Sequence, residues 1–152
     1  MIYRAFGAMD ALEAAKRLAF IARKRGLVLL VGADERLAAA SGAHGVHLPQ
    51  RMIGAAQTIR RRHPSWIITA AAHGRASILR ADRLHLDAIL VSPVFPSASP
   101  SAGRPLGPTR FAALIRGVRT PVIALGGVNT KTAPRLLSTG AAGLAAVEAF
   151  RT

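Results

Sequence analysis

Small residues end several short apolar runs in the second half of the chain, and this pattern favours phosphate chemistry. Gly126 and Gly127 follow the run PVIAL, and the block GAAGLAAVEAF begins at Gly140. A third run, AILV, opens into a long loop rich in proline and serine. Small residues at strand ends leave backbone N–H groups open, which suits the binding of phosphate oxygens. We therefore predict that these strand ends bind a phosphorylated ligand.

One histidine has the chemistry for proton transfer beside such a site. His73 directly follows the apolar run ending at Ala72 and precedes Gly74. An imidazole can take a proton from one atom of a ligand and return it to another without a metal ion. The alternative interpretation is an exposed loop histidine. We expect His47 to pack or hydrogen-bond in the interior, and the remaining histidines, His44, His63 and His85, to lie on the surface.

The elements that position these residues follow a repeated order of strand, turn and helix. Apolar runs that alternate with helical stretches predict an α/β fold with a parallel sheet. Strands are predicted at residues 1–4, 27–31, 45–48, 66–71, 88–91, 122–125 and 144–147. Helices are predicted to begin at Asp10, Asp34, Met52, Arg75, Pro108 and Asn129 or Thr130, the last of them ending at Gly140. No linker divides the pattern, so we predict a single domain over residues 1–152.

Composition narrows the classes of function. The chain has 152 residues, a net charge of +14 and no cysteine. The lack of cysteine excludes disulfides and thiolate chemistry and favours a cytoplasmic protein, and no apolar run is long enough to predict a membrane span. The basic residues are dispersed and lack interleaved aromatic residues for base stacking, so we do not expect nucleic acid as a partner, and a nucleic-acid-binding module is kept only as an alternative. The positive field favours anionic ligands instead.

Four blocks of the sequence together resemble one protein family. The blocks GAHGVHLPQ, VSPVFPS, PVIALGGVN and GAAGLAAVEAF are similar, in order and spacing, to those of the thiamine phosphate synthase/TenI family. The resemblance implies a (β/α)8 TIM-barrel type of fold with parallel strands. It aligns residues 1–4 with the second strand of the family, so that the first strand–helix unit and the last helix are missing. Such a barrel has open strand edges. Either a homo-oligomer covers these edges, or the sequence is trimmed or its start codon is wrongly set.

The resemblance also implies a reaction that this chain is poorly equipped to perform. The synthase joins a pyrimidine pyrophosphate to a thiazole phosphate with the help of magnesium. The two metal-binding aspartates of the family fall on Ala33 and Met52, and the preceding asparagine falls on Gly32. Two lysines of the family fall on Phe6 and Pro100. We therefore predict no metal site and no cofactor, although the family implies magnesium.

Other positions match the family better. By resemblance, the ligand-binding positions are Arg4, Ser97, Ser99, Gly126, Gly127, Ala145 and Ala146, and His73 falls where TenI-type thiazole tautomerases carry a catalytic histidine. One serine of the family becomes Ala71, and another becomes Glu148, whose carboxylate would oppose phosphate binding. These matches favour the thiazole phosphate side of the family's chemistry.

Three functions within the family remain open at this point. The first is a protein of thiamine metabolism that binds a thiazole phosphate-type ligand and acts as a metal-free tautomerase through His73. The second is a degenerate barrel that binds phosphate without catalysis. The third is an authentic thiamine phosphate synthase with an altered site. We therefore expect the chain to be a member of this family. Whether it is an enzyme stays open.

Overall fold

The computed structural model describes residues 1–97 and 103–147 and alternates strands with helices along the chain. The strands are β1 (Ile2–Tyr3), β2 (Leu30–Gly32), β3 (Gly45–Leu48), β4 (Ile67–Ala72), β5 (Ala88–Val91), β6 (Val122–Leu125) and β7 (Gly143–Ala145). The helices are α1 (Ala11–Lys24), α2 (Glu35–Ser41), α3 (Ala56–Arg62), α4 (Arg75–Arg83) and α5 (Gly107–Ile115). Short 3-10 helices cover Gln50–Ala55 and Ala133–Leu136.

The strands follow one another in the sheet in the order of the chain, from β1 to β7. The pairings of β1 with β2, β2 with β3, β5 with β6 and β6 with β7 are parallel. All four residues of β5, Ala88–Val91, are buried, as expected of a parallel strand that is covered on both faces. This topology brings the carboxyl ends of neighbouring strands, where the predicted site residues stand, to the same edge of the sheet.

The chain divides into two compact units, Met1–Thr69 and Ala70–Thr152, with the boundary inside β4. In the first unit α1 buries only alanines, Ala15, Ala19 and Ala22. Asp34 caps helix α2 at the predicted position, and its Oδ1 accepts a hydrogen bond of 2.8 Å from the N–H of Leu37. This bond satisfies a donor that the first turn of a helix leaves without a partner.

A partly buried carboxylate ties two segments of the second unit together. Asp82, near the end of α4, accepts hydrogen bonds of 2.8 Å from both the N–H and the hydroxyl of Thr120 and one of 3.1 Å from the N–H of Arg119. Burial opposes ionisation of Asp82, but the bonds from Thr120 and the N–H and charge of Arg119 outweigh it and lower its pKa. Asp82 therefore links α4 to the segment that enters β6.

The predicted sixth helix is wrong. Instead of a helix from Asn129 or Thr130 to Gly140, the chain forms only the 3-10 helix Ala133–Leu136. The side chain of Asn129 accepts bonds from the N–H groups of Lys131 at 2.9 Å and Thr132 at 3.1 Å. Such local bonds compete with helix formation, and Pro134 has no N–H to donate.

The first helix and the strand after it also differ from the prediction at their ends. Asp10 makes no capping bond with its side chain, and its backbone lacks the extended conformation that capping requires. Leu12, an apolar residue in the first turn of α1, is 39% exposed. Strand β2 begins at Leu30 rather than Leu27, because the N–H of Leu27 still donates to the carbonyl of Ala22 at the end of α1.

No helix within residues 1–97 and 103–147 is long and apolar enough to cross a membrane.

Candidate functional site

His73 follows β4 and is held by the residue that follows β5. Its Nδ1 lies 2.7 Å from the carbonyl oxygen of Ser92 and 3.4 Å from the Ser92 hydroxyl. A carbonyl oxygen only accepts hydrogen bonds, so Nδ1 carries the hydrogen in this arrangement. In the neutral ring the basic lone pair is then on Nε2. The tautomer that this contact favours is the one in which Nε2 can accept a proton.

A small open cavity lies beside His73. Its volume is about 250 Å³. The lining residues are His73, Ser92, Pro93, Gly103, Arg104 and Leu106. Pockets for drug-sized ligands usually measure about 300–1,000 Å³. This cavity is smaller, so it can hold only part of such a ligand.

The start of the long loop after β5 is fastened to the end of β6. The N–H of Val94 donates to the carbonyl of Leu125, and the N–H of Phe95 donates to the carbonyl of Gly126, both at 3.0 Å. These bonds continue the strand pairing beyond the last residue of β5, Val91. They fix the cavity wall formed by Ser92 and Pro93 against the glycine turn.

The end of the same loop returns to the same place. The N–H of Leu106 donates to the carbonyl of Pro93 at 3.0 Å, and the N–H of Gly107 donates to the carbonyl of Val94 at 2.8 Å. Helix α5 begins at Gly107. The two ends of the loop are therefore joined to each other as well as to the sheet.

Gly126 and Gly127 lie where only glycine fits. Their φ angles are 95° and 63°, in the region that L side chains rarely adopt. A Cβ on Gly126 would lie 2.8 Å from the Cα of Pro93, and one on Gly127 would lie 2.3 Å from the carbonyl oxygen of Pro96. The glycine pair therefore has a structural role, since it lets the loop pack against the end of β6.

The same turn has backbone N–H groups suited to an anion. The Gly127 carbonyl accepts a bond of 2.9 Å from the Thr132 hydroxyl, and the Asn129 N–H donates to that hydroxyl, also at 2.9 Å. Among the residues that the structure describes, neither Gly127 nor Val128 donates its N–H to a protein acceptor. Adjacent N–H groups of this kind can bind a phosphate oxygen.

The other predicted ligand-binding residues of this unit are spread over two segments. Ala145 pairs in register with Leu125, directly before the glycine turn, and both Ala145 and Ala146 are half-buried. Ser97 is half-buried and has an interaction partner. Ser99, like Pro100 and Glu148, lies outside the described residues. The roles of all these positions stay predictions.

Arg4 belongs to a polar cluster in the first unit. Its side chain passes over Gly32, where a Cβ would lie 2.8 Å from the Cγ of Arg4. The guanidinium carbon is 4.6 Å from the centroid of the Phe6 ring. His47, at the carboxyl-terminal part of β3, has its Nδ1 2.9 Å from the Thr69 hydroxyl, so the predicted hydrogen bond is present. Burial, together with the charge of Arg4, lowers the pKa of His47 to about 4.

The magnesium ion implied by the family does not fit the residues present. Ala33 and Met52 offer no oxygen ligand, whereas magnesium prefers carboxylate and water oxygens. The nearest carboxylate in sequence, Asp34, is used to cap α2. In the described parts of the chain, no three His, Cys, Asp or Glu side chains are grouped so that they could hold a metal ion.

The lowered pKa of His47 predicts that the protein loses stability in mild acid. Between pH 6.5 and about 4 the unfolded chain binds a proton at His47 that the folded chain does not. The free energy of unfolding therefore decreases as the pH falls through this range, by at most about 3 kcal/mol from this residue, and the full contribution is present above pH 6.5. Urea unfolding at pH 7 and pH 4.5 measures the loss. His47→Asn, whose amide can still bond to Thr69, should show a smaller loss, and an equal loss in both proteins would contradict the assignment.

Sequence reasoning missed the contributions of Ser92 and Arg104 to the site around His73. Ser92 offered a usable signal, since it is the first polar residue after a buried parallel strand. The cavity also contains Arg104, which the sequence shows only as one of many dispersed arginines. Its place on the wall depends on the hydrogen bonds that return Leu106 and Gly107 to the sheet.

Several known proteins are similar to this chain in sequence and in fold. A family model described as thiamine monophosphate synthase matches residues 2–150. The thiamine-phosphate synthase of Chlorobium luteolum is 33% identical over 84% of this chain and 60% of its own length. That of Chloroflexus aurantiacus is 32% identical over 91% of this chain and 64% of its own length. The chain thus spans about three fifths of the length of these relatives.

Solved structures agree with this assignment. A thiamine phosphate pyrophosphorylase from Pyrococcus furiosus superposes with a TM-score of 0.82 at 27% identity, covering 96% of this chain and 70% of that one. FabK from Thermotoga maritima, at 15% identity and a TM-score of 0.72 over 95% of this chain and 49% of its own, shares the fold alone. The predicted α/β fold of the (β/α)8 barrel type, incomplete with seven strands in the described residues, is confirmed. With nearly its whole length matched by the family model, the chain belongs to the thiamine monophosphate synthase/TenI family.

Proposed function

We propose that this chain acts in thiamine metabolism by binding a thiazole phosphate-type ligand and moving a proton on it without a metal ion. The observation that carries the proposal is the contact of 2.7 Å between His73 Nδ1 and the Ser92 carbonyl, on the wall of a cavity. The next residue, Pro93, lies against Gly126. A potential base and a potential phosphate-binding turn are therefore attached to the same short segment.

In the proposed reaction the phosphate binds the N–H groups of Gly127 and Val128, and the ring of the ligand reaches the cavity. Nε2 of His73 takes a proton from a ring carbon, and the electron pair of that C–H bond moves into the conjugated system. The imidazolium then returns the proton to another atom of the ligand. The bonds broken and formed balance, and no oxidant, reductant or metal is needed.

The second candidate is the synthase reaction itself. It is supported by the family model and by relatives that bear the name thiamine-phosphate synthase. Arg4 is also retained at the end of β1, with its charge close enough to His47 to lower the pKa of that histidine. The proposal favours the tautomerase because Ala33 and Met52 remove the carboxylates that would hold magnesium.

Calorimetric titration with 4-methyl-5-(2-hydroxyethyl)thiazole phosphate, in magnesium and again in EDTA, tests ligand binding. We expect the same Kd within about twofold in both buffers. Gly127→Ala, which disturbs the turn, should weaken binding at least tenfold. Gly117→Ala is the matched control, because Gly117 also has a positive φ of 75° but open space around its Cβ position.

Each other result points to a different function. Binding that requires magnesium would contradict the metal-free proposal and favour a synthase with an altered site. No heat at millimolar ligand would contradict phosphate binding altogether. Binding without any proton transfer would leave the non-catalytic phosphate-binding barrel as the correct interpretation.

A further inference from the structure

We propose that helix α1 pairs with the same helix of a second copy of this chain, antiparallel and around a two-fold axis. The contact is made by one apolar stripe of α1, which consists of Ala11, Ala14, Leu18 and Ile21. It lies on the helices of the first compact unit, not on the strand edges. The inference does not rest on the proposed function.

The first observation is that the stripe lies on the side of α1 that faces away from α2. Helix α1 turns its buried alanines inward and packs mainly against α2. Arg23 marks the side towards α2, because its Nη1 donates to the carbonyl of Gly42, at the end of α2, at 3.2 Å. At about 100° per residue, the stripe lies on the other side of the buried alanines. Ile21 is 49% exposed and the other members of the stripe are half-buried, so the stripe is open to a partner.

The second observation is that the spacing and the sizes of these residues suit a copy of the same helix. Successive members of the stripe are three or four residues apart, the spacing with which helices pack along a shared seam. In an antiparallel pair, Ala11 faces Ile21 of the second copy. In the same register Ala14 faces Leu18 of the second copy, because both pairs are symmetric about position 16. A small side chain thus meets a large one at each point, and the two helices interdigitate.

The third observation is that the charges beside the stripe are complementary to those of a second copy. Asp10, Arg17 and Lys24 follow one edge of the stripe at intervals of seven residues. In the antiparallel pair Asp10 lies beside Lys24 of the second copy, and the two-fold axis repeats this ion pair. Within the described part of the chain, the Asp10 side chain has no hydrogen bond or ion pair. The charges therefore favour a second α1, in the antiparallel orientation, as the partner.

One contact between like charges opposes the pairing. Arg17 is exposed, and in this register it faces Arg17 of the second copy close to the two-fold axis, where the two charges repel each other. A contact made by one helix of 14 residues per copy is also small beside the roughly 1,200–2,000 Å² of a standard interface. We therefore expect a dimer that dissociates on dilution through the micromolar range.

Sedimentation equilibrium of the whole chain, at concentrations up to millimolar, tests the stripe. The mass of the wild type should rise towards twice the 15.9 kDa of one chain. Ile21→Gln places an amide in the apolar seam and should raise the Kd of the dimer about tenfold or more. Phe20→Gln is the matched control, because Phe20 is also exposed, at 53%, but lies outside the stripe. It should leave the Kd within about twofold of the wild type, and circular dichroism checks that both variants fold.

Charge exchange tests the antiparallel register. Asp10→Lys and Lys24→Asp should each weaken the dimer about threefold or more, because every dimer contains two such pairs. The variant with both substitutions should recover the Kd of the wild type within about twofold. An effect on helix stability cannot explain this recovery, since each charge then stands at the end of the helix that disfavours it. Arg17→Gln removes the repulsion at the axis and should tighten the dimer.

Three results would overturn the inference. A wild type that stays monomeric at millimolar concentration would leave α1 without a second copy as its partner. An association that Ile21→Gln leaves unchanged, or that Phe20→Gln weakens equally, would place the contact outside the stripe. An association weakened by both single charge substitutions and not restored by the double variant would exclude the antiparallel register. Loss in Ile21→Gln together with recovery in the double variant would support the paired helices.

Discussion

Replacing His73 with alanine is expected to lower proton transfer on a thiazole phosphate by about 10²–10⁴-fold, the usual loss when a general base is removed. The Kd of the ligand should stay within about threefold, because in the proposed site the backbone N–H groups of Gly127 and Val128 bind the phosphate and the exposed imidazole contributes little contact area. Exchange of the ligand's ring proton for deuterium in D₂O, followed by NMR, measures the transfer directly.

The matched control is another exposed histidine of the same unit. His85 has a positive φ of 51° and lies outside the cavity, so His85→Asn keeps a side chain that tolerates this backbone conformation. It should exchange the proton at the wild-type rate. If His73→Ala retained exchange within about threefold of the wild type, His73 would not be the base, whatever the ligand affinity.

Replacing Gly45 with alanine is expected to lower the free energy of unfolding by about 3 kcal/mol or more. Gly45 opens β3 and is buried. A Cβ there would lie 1.9 Å from the carbonyl oxygen of Ile67 and 2.7 Å from its nitrogen. Both contacts are with backbone at the start of β4, so no side-chain rotation can relieve them, and the strands must separate. Urea unfolding followed by circular dichroism gives the change.

Gly26→Ala separates this clash from the cost of backbone conformation alone. Gly26 has a positive φ of 61°, but nothing lies within 4 Å of its Cβ position. Its replacement should cost only about 1 kcal/mol. Equal losses at Gly45 and Gly26 would show that the contact with Ile67 is not the cause of the destabilisation.

The sequence predicted best those elements whose signals are local. The strands at Gly45–Leu48, Ala88–Val91 and Val122–Leu125 have the predicted bounds, and the helix Arg75–Arg83 begins at the predicted residue. Each strand is a short apolar run bordered by glycine, proline or polar residues, and such borders depend only on neighbours in the chain. Prediction was wrong between Asn129 and Gly140, where side-chain bonds and Pro134 override a helical pattern.

The site was less predictable, because its geometry depends on contacts distant in sequence. His73 could be predicted because it is a histidine directly after a strand. Its hydrogen bond to Ser92, 19 residues away, could not be predicted from the periodicity of the sequence. The glycine pair was predicted for its open N–H groups. That Gly127 must also make room for the carbonyl of Pro96 follows only from the packed loop. Arg104 became a site residue for the same reason.

The two ends of the loop after β5 are hydrogen-bonded to each other beside the sheet. Pro93 and Val94 receive the returning bonds of Leu106 and Gly107, while Val94 and Phe95 are themselves bonded to the end of β6. These bonds therefore close the loop at its base, before residue 96 and after residue 105. Because the closure entropy of a loop grows only slowly with its length, segments of other lengths and compositions can be grafted between Phe95 and Leu106. The barrel then serves as a scaffold on which new ligand specificities can be engineered without redesigning its core.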